Sequence, residues 1–142
     1  MPNWIPFAIM TALALATADI AVKFAANKIS NSLGMLIYGS CVFLISSAWV
    51  LWQYFTGHEF HSERQGVIAA AVVGVSFCTV TIGLYITFAA GAPVSQASPM
   101  IRLAGLIIAA TIGVLAFKEP FNLQFAVGMV LSVIGVLLIL SR

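Results

Sequence analysis

The polar positions of this 142-residue sequence fall in short groups that divide it into five long apolar runs. A helix needs about 20 mostly apolar residues to cross roughly 30 Å of hydrocarbon. The first such run covers residues 4–26; Pro2 and Pro6 enter it, and Lys23, Asn27 and Lys28 mark its exit. Ser30, Asn31, Ser32 and Gly34 are expected to make a short turn before a second run, 33–55, which closes on Trp49, Trp52 and Tyr54. The one long polar segment follows at 57–65, and a third run covers 66–90. It ends at Gly91-Ala92-Pro93, and proline has no backbone donor, so 93–99 is not expected to be regular helix throughout. Pro93 and Pro99 therefore mark a hinge or a turn before a fourth run, 98–117. Lys118-Glu119-Pro120 stops that run, and the fifth covers 121–140. Spans of a membrane β-barrel are shorter and alternate with period two. These runs are continuous and rich in Ala, Leu and Gly, which predicts an all-α bundle of five transmembrane helices with one domain over 1–142.

Composition supports the same class. Apolar residues make up 62% and charged residues 7%, with a mean hydropathy of +1.11. A soluble domain carries about 25% charged residues as its polar coat. Ten charges cannot supply one, which excludes a water-soluble globule. A net charge of +2 from six Lys and Arg makes no basic stripe, so nucleic-acid binding is excluded as well. The N-terminus lacks a basic start and a small-residue cleavage site, so no signal peptide is expected. Cys41 and Cys78 lie inside the second and third spans and are read as buried packing residues, without a disulfide or redox role.

Charged groups inside the spans carry the strongest chemical signal, because burying them in a bilayer is costly. Asp19 lies about three quarters along the first run, and Lys23 follows four residues later on the same helix face. Acid before base at this spacing favours an ion pair. Arg102 lies about one turn into the fourth run, and chain tracking puts it at a depth similar to Asp19 and Lys23. Asp19 is then a candidate coupling site for a proton or cation, with Arg102 or Lys23 as its ion partner. The competing reading has both cations snorkelling to the headgroups and Asp19 neutralising them structurally.

The third run carries hydroxyls at Ser76, Thr79, Thr81 and Tyr85. Thr79 and Thr81 are expected to bond back to their own helix, whereas Tyr85 is a substrate candidate beside the 93–99 break. His58, Glu59, His61 and Glu63 form the one metal-like cluster, but a zinc site wants three or four converging ligands. A solvated loop is the better reading, and no metal or other cofactor is expected. Trp4, Trp49, Trp52 and Tyr54 read as an aromatic belt at one membrane face. No nucleophile–base set, phosphate loop or catalytic carboxylate pair is present, so an enzyme is not expected. Arg64 and Lys118 fall on one side of the membrane, and Lys23, Lys28, Arg102 and Arg142 on the other. The positive-inside rule then favours a cytoplasmic C-terminus. With Lys23 and Arg102 counted as lying within the membrane, the count is two against two, as in a protein that inserts both ways.

The segment Gly91-Ala92-Pro93-Val94-Ser95-Gln96-Ala97-Ser98-Pro99, with Tyr85-Ile86-Thr87-Phe88-Ala89 before it, resembles the passage between the third and fourth helices of EamA-type domains. Gly113-Val114-Leu115-Ala116-Phe117-Lys118-Glu119-Pro120 resembles that domain's fourth-helix ending, and the fifth run with Gly128 and Gly135-Val136 its last helix. The resemblance covers essentially the whole chain. It implies the drug/metabolite transporter superfamily, whose members mostly carry two such domains with the substrate path between inverted repeats. One domain would then work with a partner. The small multidrug resistance proteins, four-helix relatives, assemble as antiparallel homodimers, and Gly128 and Gly135 resemble the glycine pair on their last helix. Glycines seven residues apart leave a groove for a second backbone, and Gly128 with Ser132 adds a small-xxx-small pair. The other reading is packing of the fifth helix within the chain. Those relatives couple through a first-helix glutamate, to which Asp19 is not matched residue by residue.

Two functions are consistent with these features. The first is a half-size secondary transporter of a small organic metabolite, such as an amino acid or amine, in a bacterial inner membrane. It would act as an antiparallel homodimer or with a paired homologue. The alternative is a non-transporting accessory subunit of a larger membrane complex.

Overall fold

The computed structural model describes residues 4–141, so Pro2 and Arg142 lie outside the described residues. Five helices follow one another with short connections: α1 (Ile5–Ala25), α2 (Asn31–Phe55), α3 (Arg64–Ala89), α4 (Val94–Ala116) and α5 (Leu123–Leu140). All five are long and apolar enough to cross a bilayer, and no strand occurs among the described residues. The protein is all-helical and membrane-spanning.

Local chemistry sets the ends. Pro6 sits in the first turn of α1, where its missing N–H costs nothing. The Ser30 hydroxyl caps α2 by accepting from the Leu33 amide at 3.3 Å. The Asn122 side chain does the same for α5, accepting from the Phe125 amide at 2.8 Å. Glycine in left-handed backbone follows α2 and α3, at Gly57 (φ 75°) and Gly91 (φ 96°).

Two expectations about the ends are corrected. Gly34 belongs to the first turn of α2 and not to the preceding turn, because the Ser30 cap starts the helix earlier. Helix α4 begins at Val94 and continues through Pro99, so residues after Pro93 are helical and not a break. Pro93 is the N-cap, in extended backbone (φ −72°, ψ 137°). Pro99 follows within the first two turns and removes only the amide that would reach the Ser95 carbonyl. The turn itself falls at Ala90 and Gly91.

The chain divides into two compact units. In the first, α3 packs against both α1 and α2. Its buried residues gather at the C-terminal ends of α1 and α3 and the start of α2: Asp19, Ala26, Gly34, Thr81, Leu84, Tyr85 and Phe88. In the second, α4 and α5 form an antiparallel hairpin. The remaining helix surfaces are apolar and exposed, from Phe7 and Leu13 to Leu137 and Leu138, as suits contact with lipid chains.

Candidate functional site

The first unit concentrates its polar chemistry where its apolar surface is best packed. Asp19 is 4% exposed and is the one buried residue of α1 among the described residues. Lys23 is half-buried one turn later, and its ammonium lies 5.8 Å from the centroid of the Phe88 ring. Phe88 is completely buried. A cation over a shielded aromatic face is attracted by the ring quadrupole, most strongly where water is excluded. Neither Asp19 nor Lys23 lacks an interaction in this arrangement.

Tyr85 supplies the second feature. Its ring lies directly on the α2 backbone at Gly34. A methyl group added there would fall 2.6 Å from Cζ, 2.7 Å from Cε1 and 2.8 Å from the hydroxyl oxygen. Only glycine permits that approach. The turn after α1 is tied to α3 as well, through Asn27, whose side-chain amide donates to the Ala89 carbonyl at 3.2 Å. Asn27 has a positive φ of 65°, a conformation asparagine tolerates better than most residues. The Thr81 hydroxyl donates to Phe77 at 2.8 Å and the Thr79 hydroxyl to Val75 at 3.0 Å, each within α3. Both are satisfied on their own helix, as expected.

In the second unit, Arg102 is exposed on α4 and has an interaction of its own. A methyl at Gly113 would meet the Glu119 carboxylate at 2.7 Å, because the chain folds back after α4 and the Glu119 amide donates to the Gly113 carbonyl at 3.2 Å. Lys118, with φ 54°, makes that reversal. An apolar groove of about 370 Å³ runs between α4 and α5, lined by Thr111, Val114, Phe121, Phe125 and Met129 among others. Gly128 and Gly135 face open space, and the Ser132 hydroxyl donates to the Gly128 carbonyl at 2.9 Å. The small face of α5 is thus smooth and chemically satisfied.

The remaining candidates are dispersed. His61 and Glu63 approach to 3.4 Å in a loop where both are largely exposed. No group of three His, Cys, Asp or Glu among the described residues is placed to hold a metal. Cys41 and Cys78 are both exposed, which corrects their reading as buried packing residues. Cys78 lines a groove of about 480 Å³ between α2 and α3 with Tyr38, Phe43 and Phe77. Trp4, Trp49, Trp52 and Tyr54 all project outward, the disposition an interfacial belt requires. The sequence reading missed the contact of Tyr85 with Gly34 and that of Lys23 with Phe88. The available signal was the coincidence of a glycine one turn into α2 with large aromatics at the end of α3.

A chain of five apolar helices with a buried carboxylate and no extramembrane domain among the described residues defines a multi-pass membrane protein. A model of the EamA-like transporter family matches residues 2–141. The chain belongs to that family, within the drug/metabolite transporter superfamily. No curated protein and no solved structure matches it.

Proposed function

We infer that residues 1–142 act as one EamA-like domain of a secondary transporter that moves a small organic metabolite, such as an amino acid or amine, by alternating access. A second such domain completes the path, from an antiparallel copy or a paired homologue. The burial of Asp19 carries this reading. Placing a carboxylate in a membrane-spanning helix is costly and is rarely retained without use. Here it takes one of the few well-packed positions of α1 while most apolar side chains of that helix are exposed. In this reading Asp19 is the coupling site for a proton or cation. Lys23 is its nearest candidate partner along α1, and Tyr85 and Arg102 remain substrate candidates on α3 and α4. Pairing with a second domain is supported by α5, none of whose described residues is buried. A bacterial inner membrane is the compartment this reading assigns.

The test is flux into liposomes containing the purified protein, with an imposed pH gradient and labelled amino acids and amines. Wild type is expected to accumulate at least one of these, and Asp19→Asn to lose gradient-driven accumulation by about tenfold or more while remaining folded. Equal accumulation by the two proteins would remove Asp19 from coupling. Absence of flux for every class, with fixed partner subunits co-purifying, would favour the accessory-subunit alternative.

A further inference from the structure

The connection from α4 to α5 breaks a local backbone rule. Lys118 sits in the left-handed region, at φ 54°. Glycine or asparagine is the ordinary choice there, because a longer side chain crowds the backbone. A lysine held in that conformation calls for a use of its charge, since strained backbone gathers at functional positions. Lys118 is exposed and makes no ion pair with a described residue. The carboxylate of its neighbour Glu119 is turned back against Gly113, roughly a third of a turn round α4 from the middle of the groove lining.

The groove of about 370 Å³ between α4 and α5 opens from the same connection. Leu115 and Phe121 line it, three residues before and three residues after Lys118. Phe121 and Phe125 make one wall as an edge-to-face pair, with ring centroids 5.9 Å apart. Met129 lines the groove six residues into α5, so at 1.5 Å per residue the groove reaches roughly 9 Å from the helix end. That depth is within one leaflet of a bilayer about 30 Å thick. The lining has a hydroxyl at Thr111, which already donates to the Ile107 carbonyl at 2.8 Å. An occupant that fits is therefore apolar where it meets the helices and anionic where it meets the loop. A phospholipid of net negative charge is divided in that way.

We propose that the α4–α5 groove holds an acyl chain of an anionic phospholipid, with the lipid headgroup on the Lys118 ammonium. All the lining residues belong to the second unit, so the site is complete within the α4–α5 hairpin. It requires only that the chain spans a membrane, and it stands apart from the transporter reading.

The test is quenching of a single tryptophan by brominated lipid. Phe125→Trp is made in a chain that also carries Trp4→Phe, Trp49→Phe and Trp52→Phe, and is reconstituted in bilayers. Brominated phosphatidylglycerol and brominated phosphatidylcholine are compared as they replace the unbrominated lipid. Phosphatidylglycerol is expected to be favoured about fivefold at this position, the preference one lysine near the surface supplies. The preference is expected to vanish in Lys118→Gln and to persist in Lys118→Arg. Met129→Trp is a second reporter in the groove and is expected to follow Phe125→Trp. Val127→Trp lies at similar depth on the opposite face of α5, outside the lining, and is expected to show a preference of about twofold or less. Equal affinities at both groove positions, or a preference untouched by Lys118→Gln, would overturn the site. So would a preference at Val127→Trp as large as that in the groove. If neither lipid quenches the groove tryptophans while both quench Val127→Trp, a protein segment fills the groove and the proposal fails.

Discussion

The two units solve the same problem of packing apolar helices by different means. In the first, α3 carries a dense end: Leu84, Tyr85 and Phe88 are buried together with Asp19 of α1 and Gly34 of α2. Grooves of similar size occur in both units, about 480 Å³ between α2 and α3 and about 370 Å³ between α4 and α5, but in the second unit no described residue of α5 is buried. Inside a bilayer, lipid tails are as apolar as leucine, so helices associate through close packing and hydrogen bonds and not through exclusion of water. The first unit has both, in the Tyr85 ring on Gly34 and the Asn27 side chain on the Ala89 carbonyl. It is therefore the more closely packed part of the chain. The second has helix surfaces still available to another membrane component.

The sharpest way to break this contrast is Phe88→Ala. The side chain is fully buried, and its loss leaves a cavity that backbone relaxation fills only partly. A loss of about 3–5 kcal/mol is expected, read as a fall in the unfolding midpoint of the protein in mild detergent. The same truncation at Phe125, which is 39% exposed beside the α4–α5 groove, is expected to cost about 1 kcal/mol or less. Equal losses at the two sites would erase the distinction between a packed unit and an open one.

A finer test compares two glycines that both meet a neighbour. Gly34→Ala sets a methyl 2.6–2.8 Å from the rigid ring and hydroxyl of Tyr85, so helix or ring must move, at a cost of about 1–3 kcal/mol. Gly113→Ala meets the tip of the Glu119 side chain, which is exposed and can swing away, so about 0.5 kcal/mol or less is expected. The order of the two losses is read from melting midpoints in one detergent. Gly34→Ala combined with Tyr85→Leu should recover part of the loss, since the clashing ring is gone. A double variant no better than Gly34→Ala alone would show that the close approach is not what requires glycine.

These same residues show what the sequence could reveal. The five spans were legible because length and apolarity are sufficient for a helix to cross a bilayer, and no tertiary contact is needed to see them. Asp19 stood out for the same reason: a charge in an apolar run is visible without knowing its neighbours. Gly34 was misread as part of a turn, since glycine after Ser30, Asn31 and Ser32 has the composition of a loop. Its reason for being there lies 51 positions away at Tyr85. From sequence, Pro93 and Pro99 mark a hinge or turn before the fourth span, but a proline in the second turn of a helix forfeits a single bond and leaves the rest intact. Ser98 was invisible from sequence, because a serine on a helix can bond back to its own backbone and only coordinates reveal a buried one that does not.

The smallest expected effect on stability bears most on assembly. Gly128 and Gly135 meet nothing within 4 Å, so Gly128→Ala and Gly135→Ala introduce no clash within the chain. Alanine is also the better helix former, by about 1 kcal/mol per residue, so the variants should melt at or slightly above the wild-type midpoint. Ser132 donates to its own helix and contributes smoothness, not a bond across an interface. If a second copy packs on this face, backbones must approach closely there, and two methyl groups in the groove hold them apart. The double variant is then expected to fold normally yet lose the dimer, read as the mass of the protein–detergent complex and as crosslinking in native membranes. A double variant that melts like wild type and still dimerises would place the pairing surface elsewhere. The groove between α4 and α5 would then be the next face to fill, at Thr111 and Met129.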